Sequence, residues 1–239
     1  MTVDLAAAAD FLAGSARVLD RRRFELLFGD GDPAAVLAAV DGYRNPDGGY
    51  GWGLEPDLRS RTSQPGGALH AMEVFADVVP LTTRRAVELC DWLGEASNPD
   101  GGLPFALRVP DPAGSAPFWL GANPASSLQI TAVVAATAHR VATADAAVAR
   151  HPWLARATEF CLSAVRELGP EPHAMVLAFA AQLLDAAAPA FPAAADLVEA
   201  LRRHVPADGL LHVAGGADDE FMRPFTPESD FLVALLRRA

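Results

Sequence analysis

Apolar residues recur at intervals of three and four along most of this chain, the spacing that places them on one face of an α-helix. Stripes of this kind predict about ten helices, paired into one hairpin over residues 3–28 and four over residues 33–238, with no convincing pair of strands. We expect an all-α protein, and a single domain over residues 1–239, because no flexible linker interrupts the pattern. The clearest stripe consists of Leu154, Ala157, Cys161, Val165 and Leu168.

A repeated pentapeptide divides the helical pattern. Residues 45–49 read Asn-Pro-Asp-Gly-Gly, and the same five recur at residues 98–102, 53 positions later, with a weaker copy at residues 206–209. Pro, Asp and Gly in this order favour a tight turn that ends a helix. Repeated helical hairpins with a period of about 54 residues are therefore predicted. A second marker has the same mean spacing of 54, the prolines predicted to open helices at Pro65, Pro124, Pro172 and Pro227.

Composition and charge narrow the function classes. The net charge of −11 argues against a nucleic-acid partner, because phosphate binding needs a basic surface. Cys90 and Cys161 lie on predicted apolar stripes, so we expect free buried thiols and a cytoplasmic location. No apolar run reaches the roughly 20 residues that span a bilayer. The first residues also lack the basic region of a signal peptide.

One stretch resembles a known family. Residues 45–53 read Asn-Pro-Asp-Gly-Gly-Tyr-Gly-Trp-Gly, and Ser63, Gln64 and Pro65 follow at the start of the next predicted helix. This arrangement resembles the prenyltransferase/squalene-cyclase repeat, in which a Gly-Gly-aromatic-Gly turn links the two helices of a hairpin. The resemblance implies an α/α-toroid of the terpenoid cyclase and protein prenyltransferase type, with a central cavity for isoprenoid chains. Five hairpins are fewer than in a full toroid, so we expect a partial or small α/α-barrel, or a homo-oligomer whose partner chain closes it.

The catalytic motifs of that family are largely missing. The Asp-x-Asp-Asp acid motif does not occur, and Asp218-Asp219 begins the magnesium-binding motif while Met222 occupies its closing position. The zinc-binding Asp-x-Cys element is also missing. We therefore expect no metal and no cofactor. Ordinary helix or loop positions, without the spacing of zinc ligands, are expected for His70, His139, His173 and His212.

Two long loops carry the candidate site. The first loop, residues 50–61, and the second loop, residues 103–120, are rich in aromatic side chains and should emerge on the same face of the helices. They either line a shared apolar pocket or cap the helix ends. The candidate acids are, in order of preference, Asp57 or Glu55, and then Asp219. The candidate substrate-binding residues are Tyr50, Trp52, Arg59, Gln64, Phe105, Phe118, Trp119, Asp218 and Arg223.

Two functions stay open at this point. The first is a terpene-cyclase-like or prenyltransferase-like enzyme (an isomerase or lyase without the usual acidic motifs) that binds or transforms an isoprenoid or similar hydrophobic small molecule. The second is a non-catalytic helical-repeat module that binds a ligand or a protein. A closed aromatic cavity with an inward carboxyl group would favour the enzyme, whereas a filled core with an exposed apolar groove would favour the binding module.

Overall fold

The structure is a computed structural model that describes residues 4–205 and the backbone of residues 211–212 and 221–222. It is mostly helical, which confirms the all-α prediction at that level. The helices are α1 Leu5–Ser15, α2 Val18–Phe28, α3 Pro33–Val40, α4 Pro65–Asp77, α5 Arg84–Ala96, α6 Pro117–Leu120, α7 Leu128–Ala142, α8 Ala146–Ala149, α9 Pro152–Arg166, α10 Ala174–Ala187 and α11 Ala193–Arg202.

One strand pair departs from the prediction of helices alone. Strand β1, Leu211–His212, runs antiparallel to strand β2, Phe221–Met222. Each strand has only two residues, so neither produces an alternating pattern that could reveal it in the sequence.

Prolines mark some helix starts but not others. Helix α4 begins at Pro65 as predicted, whereas α7 begins at Leu128, four residues after Pro124. The backbone N–H of Ser127 donates to the carbonyl of Leu103 at 2.8 Å, so the chain follows the preceding loop before the helix begins.

Helix α10 also begins later along the chain than its proline predicts. It begins at Ala174 rather than at Pro172, because His173 acts as the N-cap and its Nδ1 accepts the N–H of Met175 at 3.1 Å. The starts of α4, α7 and α10 are therefore 63 and then 46 positions apart, and the period of about 54 is not confirmed. The fourth marker, Pro227, lies outside the described residues.

The helices form two layers. In one row α4, α7 and α10 pack side by side in chain order, and in the other α5, α9 and α11 pack in the same order. A continuous apolar core extends from Leu19 in α2 to Leu201 in α11. Closure into an α/α-toroid stays a prediction, as does the single domain, because most of the last predicted hairpin lies outside the described residues.

The two Asn-Pro-Asp-Gly-Gly turns have the same hydrogen bonds. In the first turn the N–H of Asn45 donates to the carbonyl of Gly49 at 2.9 Å, and in the second Asn98 donates to Gly102 at 2.8 Å. The turn is therefore a structural repeat, although the helices around it are unequally spaced.

A serine joins each turn to the chain that leads into the next helix of the α4–α7–α10 row. The hydroxyl of Ser63 donates to Asp47 Oδ1 at 2.8 Å, and that of Ser126 donates to Asp100 Oδ1 at 2.6 Å. These bonds fix where each long loop leaves the helical layers.

Both cysteines are buried and free. Burial raises the pKa of Cys90 to about 12, and it also raises the pKa of Cys161, because a thiolate would lose its hydration in the core. The thiols therefore serve as small apolar side chains.

Candidate functional site

The two long loops pack directly on each other. The N–H of Ala116 in the second loop donates to the carbonyl of Asp57 in the first at 2.8 Å. The N–H of Leu107 donates to Oε1 of Gln64 at 2.9 Å. Gln64 is only 1% exposed, so its amide holds the second loop in place and is not accessible to a ligand.

Trp119 connects the second loop to a carboxyl group of the first. It lies on the short helix α6, and its indole Nε1 donates to Asp57 Oδ1 at 2.8 Å. Its ring stacks on Phe105 with centroids 4.7 Å apart, and the half-exposed Phe118 lies 5.3 Å away. With Leu58, Trp119 belongs to a small apolar cluster separate from the main core.

Glu55 forms an ion pair with His70, for which the sequence predicts only an ordinary helix or loop position. Nε2 of His70 on α4 lies 2.9 Å from Glu55 Oε2, and Nδ1 of the same ring lies 2.9 Å from Glu73 Oε2. Burial works against the charge on His70, but the hydrogen bonds to both carboxylates raise its pKa to about 9. Burial likewise disfavours ionised Glu55, but the hydrogen bond from His70 leaves its pKa lowered. The pair is therefore a carboxylate and an imidazolium at neutral pH.

The pKa of Asp57 is raised, whereas that of Glu55 is lowered. Burial and the neighbouring Glu55 raise its pKa, and the hydrogen bond from Trp119 only partly offsets them. Asp57 is therefore the more easily protonated of the two candidate acids of the first loop.

The second helix of the N-terminal hairpin supports this cluster. Arg23 on α2 pairs with Asp77 at 2.7 Å and lies 3.9 Å from Glu73. The guanidinium of Arg17 donates to the carbonyl of Leu54 at 2.9 Å, immediately before Glu55. Two arginines thus hold both sides of the His70 ion pair in place.

Two predicted aromatic residues lie away from Trp119. Tyr50 is fully buried in the main core, where it meets Phe75 edge to face, and its hydroxyl has no hydrogen-bond partner among the described residues. Trp52 is half exposed and donates to Asn45 Oδ1 at 2.8 Å, with the guanidinium of Arg61 over its ring. The structure therefore brings neither residue into a shared cavity with Trp119.

The remaining candidates divide into two groups. Arg59 lies between the loops: its N–H donates to Ser115 Oγ at 3.1 Å, and its aliphatic part lies close to Gly53 and Gly114. Outside the described residues lie Asp218, Asp219 and Arg223.

A groove of about 460 Å³ lies beside the stacked aromatic pair. We call it the Trp119 groove. Arg108 is its only charged lining residue among those described, and the other lining side chains include Pro104, Leu107, Val109, Trp119 and Leu120. Trp119 thus contacts the groove and, through its indole N–H, the Asp57 carboxyl group. Asp57 itself is not among the residues that line the groove, so the groove can hold a mainly apolar molecule against Trp119 and Arg108.

Residues 4–205 contain no cluster of three or more His, Cys, Asp or Glu side chains arranged to hold a metal ion. None of the described helices is long and apolar enough to cross a membrane.

His70 and Glu73 are the site residues that sequence reasoning missed. Their spacing of three on a helix places both on one face, which is a usable signal for a paired histidine. The contact with Glu55 depends on how the first loop folds back over α4, and the sequence contains no local sign of that.

The fold and site define an all-α protein of layered helical hairpins with a loop-built groove. A comparison with models of known protein families found no matching family. A comparison with curated proteins also found no significant match. The resemblance to the prenyltransferase/squalene-cyclase repeat therefore stays a prediction, and the function is argued from the geometry.

Proposed function

We propose that this protein binds an apolar small molecule, such as an isoprenoid, in the Trp119 groove. The observation that carries the proposal is a groove of about 460 Å³ lined mainly by apolar side chains, with polar backbone groups between them and with Arg108 as the one charged residue among those described. Small-molecule sites typically have about 300–1,000 Å³ and a few polar groups among apolar walls. An isoprenoid with a polar end fits this description, with its chain along Leu107 and Trp119 and its polar end at Arg108.

Binding fits the geometry better than cyclisation. Acid-catalysed cyclisation requires a site that excludes water from the reactive cation. The Trp119 groove is open to solvent, and Asp57 lies on an exposed part of the first loop. An acid role for Asp57, with Glu55 held ionised by His70, stays a narrower hypothesis from the family resemblance.

Leu120 offers a direct test of groove binding. It lines the groove and is 44% exposed, so Leu120→Asp should fold normally while placing a charge against the bound chain. Farnesol, a plain isoprenoid alcohol, is the probe, and its affinity is measured by isothermal titration calorimetry. We expect the variant to bind at least about tenfold more weakly, since loss of one buried leucine contact is worth about 1.5–3 kcal/mol.

Leu81→Asp is the matched control. Leu81 is 45% exposed, nearly the same as Leu120, but it lies between α4 and α5 and does not line the groove. The control should bind farnesol like the wild type. Equal affinities for both variants, or no farnesol binding by the wild type, would reject the proposal.

The N-terminal hairpin supports a second candidate function, a non-catalytic interaction module. Helix α1 has no buried residue, so its apolar side chains are available to a partner. Exposed large apolar residues concentrate on this hairpin, namely Leu5, Phe11, Val18, Leu27 and Phe28. Such a concentration is typical of a protein-binding surface.

A further inference from the structure

A second cavity lies at the C-terminal ends of α7 and α10, whereas the Trp119 groove lies before the start of α7. It has about 190 Å³ and lies between the C-terminal ends of α7 and α10 and the start of α9. Enclosed apolar cavities of about 150 Å³ are known to hold benzene-sized molecules. This cavity has a similar size but is partly open to solvent, since Thr143, Ala149 and Ala190 in its lining are exposed. It shares no lining residue with the Trp119 groove. We call it the His139 cavity, and its lining includes Ala142, Leu154, Ala186, Pro189 and Phe191 besides His139.

Hydrogen bonds beneath the cavity determine which nitrogen of His139 carries the hydrogen. Nε2 lies 2.9 Å from Oγ1 of Thr158, a fully buried residue. The hydroxyl of Thr158 donates its single hydrogen to the carbonyl of Leu154 at 2.7 Å. Thr158 can therefore only accept from the ring, and Nε2 must be the donor.

The other ring nitrogen is a free acceptor. Burial lowers the pKa of His139 to about 4, so the ring is neutral near pH 7 and Nδ1 has a lone pair. No residue within 4–205 donates a hydrogen bond to Nδ1. The edge of the ring also meets Phe191, with centroids 5.9 Å apart and the planes at 81°, which limits rotation of the imidazole.

Among the described residues that line the cavity, none has a spare side-chain donor. The second polar lining residue, Thr143, donates its hydroxyl to the carbonyl of Arg140 at 2.7 Å. A ligand with a hydrogen-bond donor can donate to Nδ1. A ligand that has only acceptors finds no side-chain donor in the cavity, so its acceptors lose their hydrogen bonds to water without replacement, which weakens binding.

We propose that the His139 cavity is a binding site for a small, mainly apolar molecule with one hydroxyl or N–H donor, of the size and kind of a simple phenol. The apolar walls take the ring, and the donor bonds to Nδ1 of His139. Thr158 is a positioning residue, since it acts on the ligand only by fixing the hydrogen on Nε2.

Three probes of similar size test the proposal. Phenol has a donor, anisole has the same oxygen without the donor, and benzene has neither. Their affinities for the ¹⁵N-labelled full-length protein are measured by NMR titration, with assignment to residues around the cavity. We expect phenol to bind about three- to tenfold more tightly than the other two, the ratio that one net hydrogen bond provides.

Variants separate the hydrogen bond from the shape of the cavity. His139→Leu keeps much of the side-chain volume, and it should reduce the preference for phenol to near unity. Thr158→Val removes the acceptor that fixes the ring hydrogen and should weaken the preference, whereas Thr158→Ser keeps that acceptor and should retain it. Long-range ¹H–¹⁵N spectra of the imidazole should show hydrogen on Nε2 in the wild type and in Thr158→Ser.

The Thr158 pair decides the test if His139→Leu fails to fold. The proposal is overturned if the three probes bind the wild type equally, if none binds, or if the preference for phenol persists in Thr158→Val although the hydrogen has moved to Nδ1. A persisting preference with the hydrogen still on Nε2 would remove only the positioning role of Thr158. Unchanged chemical shifts around His139 and Leu154 during phenol binding would also overturn it, because the ligand would then lie elsewhere.

Discussion

At the scale of single residues, the His70 ion pair should make stability depend on pH. The pKa of His70 is about 9 in the folded protein and about 6.5 in an unfolded chain, so the folded state binds the proton more tightly. The resulting stabilisation is fully present below pH 6.5 and is lost as the pH rises through 9. For a side chain that is 27% exposed, and therefore partly screened, we expect on the order of 2 kcal/mol.

Urea denaturation at pH 6 and pH 9 measures this effect. His70→Gln should lower the free energy of unfolding more at pH 6 than at pH 9, and it should flatten the pH dependence between them. His139 acts in the opposite direction, because its pKa is lowered from about 6.5 to about 4 and its contribution to stability begins to fall below about pH 6.5. This contribution is the same in both proteins, so it cancels in the difference between wild type and His70→Gln at each pH. His204→Gln is the control, since His204 forms no ion pair with a described carboxylate. A wild-type protein with constant stability from pH 6 to 9 would contradict the predicted pairing.

Residue types and loop membership indicated part of the candidate site. Asp57 and Trp119 follow from an acidic residue and an aromatic residue in two long loops, and the structure brings them into contact. Tyr50 and Trp52 have the same residue chemistry but point into the core and towards Asn45. Side-chain direction within an irregular loop depends on tertiary packing, which no local pattern encodes.

At the scale of elements, the repeated turn should tolerate no side chain at its last glycine. A Cβ on Gly102 would lie 2.5 Å from Cβ of Ser126 and 2.8 Å from the ring of Phe160. A Cβ on Gly49 would lie 2.6 Å from Ser63 and from the ring of Trp92 in the same way. Both turns are therefore packed between a serine and an aromatic side chain of the α5–α9–α11 row, Trp92 on α5 and Phe160 on α9.

We expect Gly102→Ala to lower the free energy of unfolding by about 1–3 kcal/mol, the usual cost of overpacking. Gly169→Ala is the control, because a Cβ there meets nothing within 4 Å, and it should change stability by less than about 0.5 kcal/mol. Urea denaturation of both variants gives the comparison. Equal stabilities of the two would show that the turn can open to admit a methyl group.

Helix existence was easier to predict than helix starts. The stripe from Leu154 to Val165 lies on α9, because burial of one face imposes the helical period, and only its last predicted member, Leu168, lies beyond the end of the helix. Proline at Pro65 does open a helix, but Pro124 does not, since the residues after it first bond to the second loop. Proline permits a helix start, and competing hydrogen bonds decide where the start falls.

At the scale of the whole molecule, the two helical rows follow from the chain, whereas their closure does not. Each hairpin buries its apolar face against the next, so stacking is required whichever way the rows curve. Curvature depends on small angles between α4, α7 and α10, and the sequence pattern is equally compatible with an open stack and a ring. The toroid prediction depends on the family resemblance alone.

The N-terminal hairpin leads to a prediction about assembly. A groove of about 380 Å³ between α1 and α2 is lined by apolar side chains that include Leu12, Phe24 and Phe28. Arg21 and Glu25 line the same groove, and Glu25 pairs with Arg22 of its own chain at 2.7 Å. A twofold axis through the groove would bring the apolar side chains of two copies together and place Arg21 of each copy beside this ion pair of the other. We therefore expect a homodimer through this hairpin, the arrangement that fits the second candidate function.

Sedimentation equilibrium of the wild type and of Phe11→Asp tests the dimer. Phe11 is 72% exposed, so the substitution should not disturb folding, but it places a charge in the proposed interface. We expect the wild type to sediment as a dimer and the variant as a monomer, with Leu81→Asp still dimeric, because Leu81 lies outside the hairpin. A monomeric wild type across micromolar concentrations would show that a second copy does not cover this face. A dimer that persists in Phe11→Asp would show that the interface lies elsewhere and would contradict the prediction that the hairpin mediates assembly.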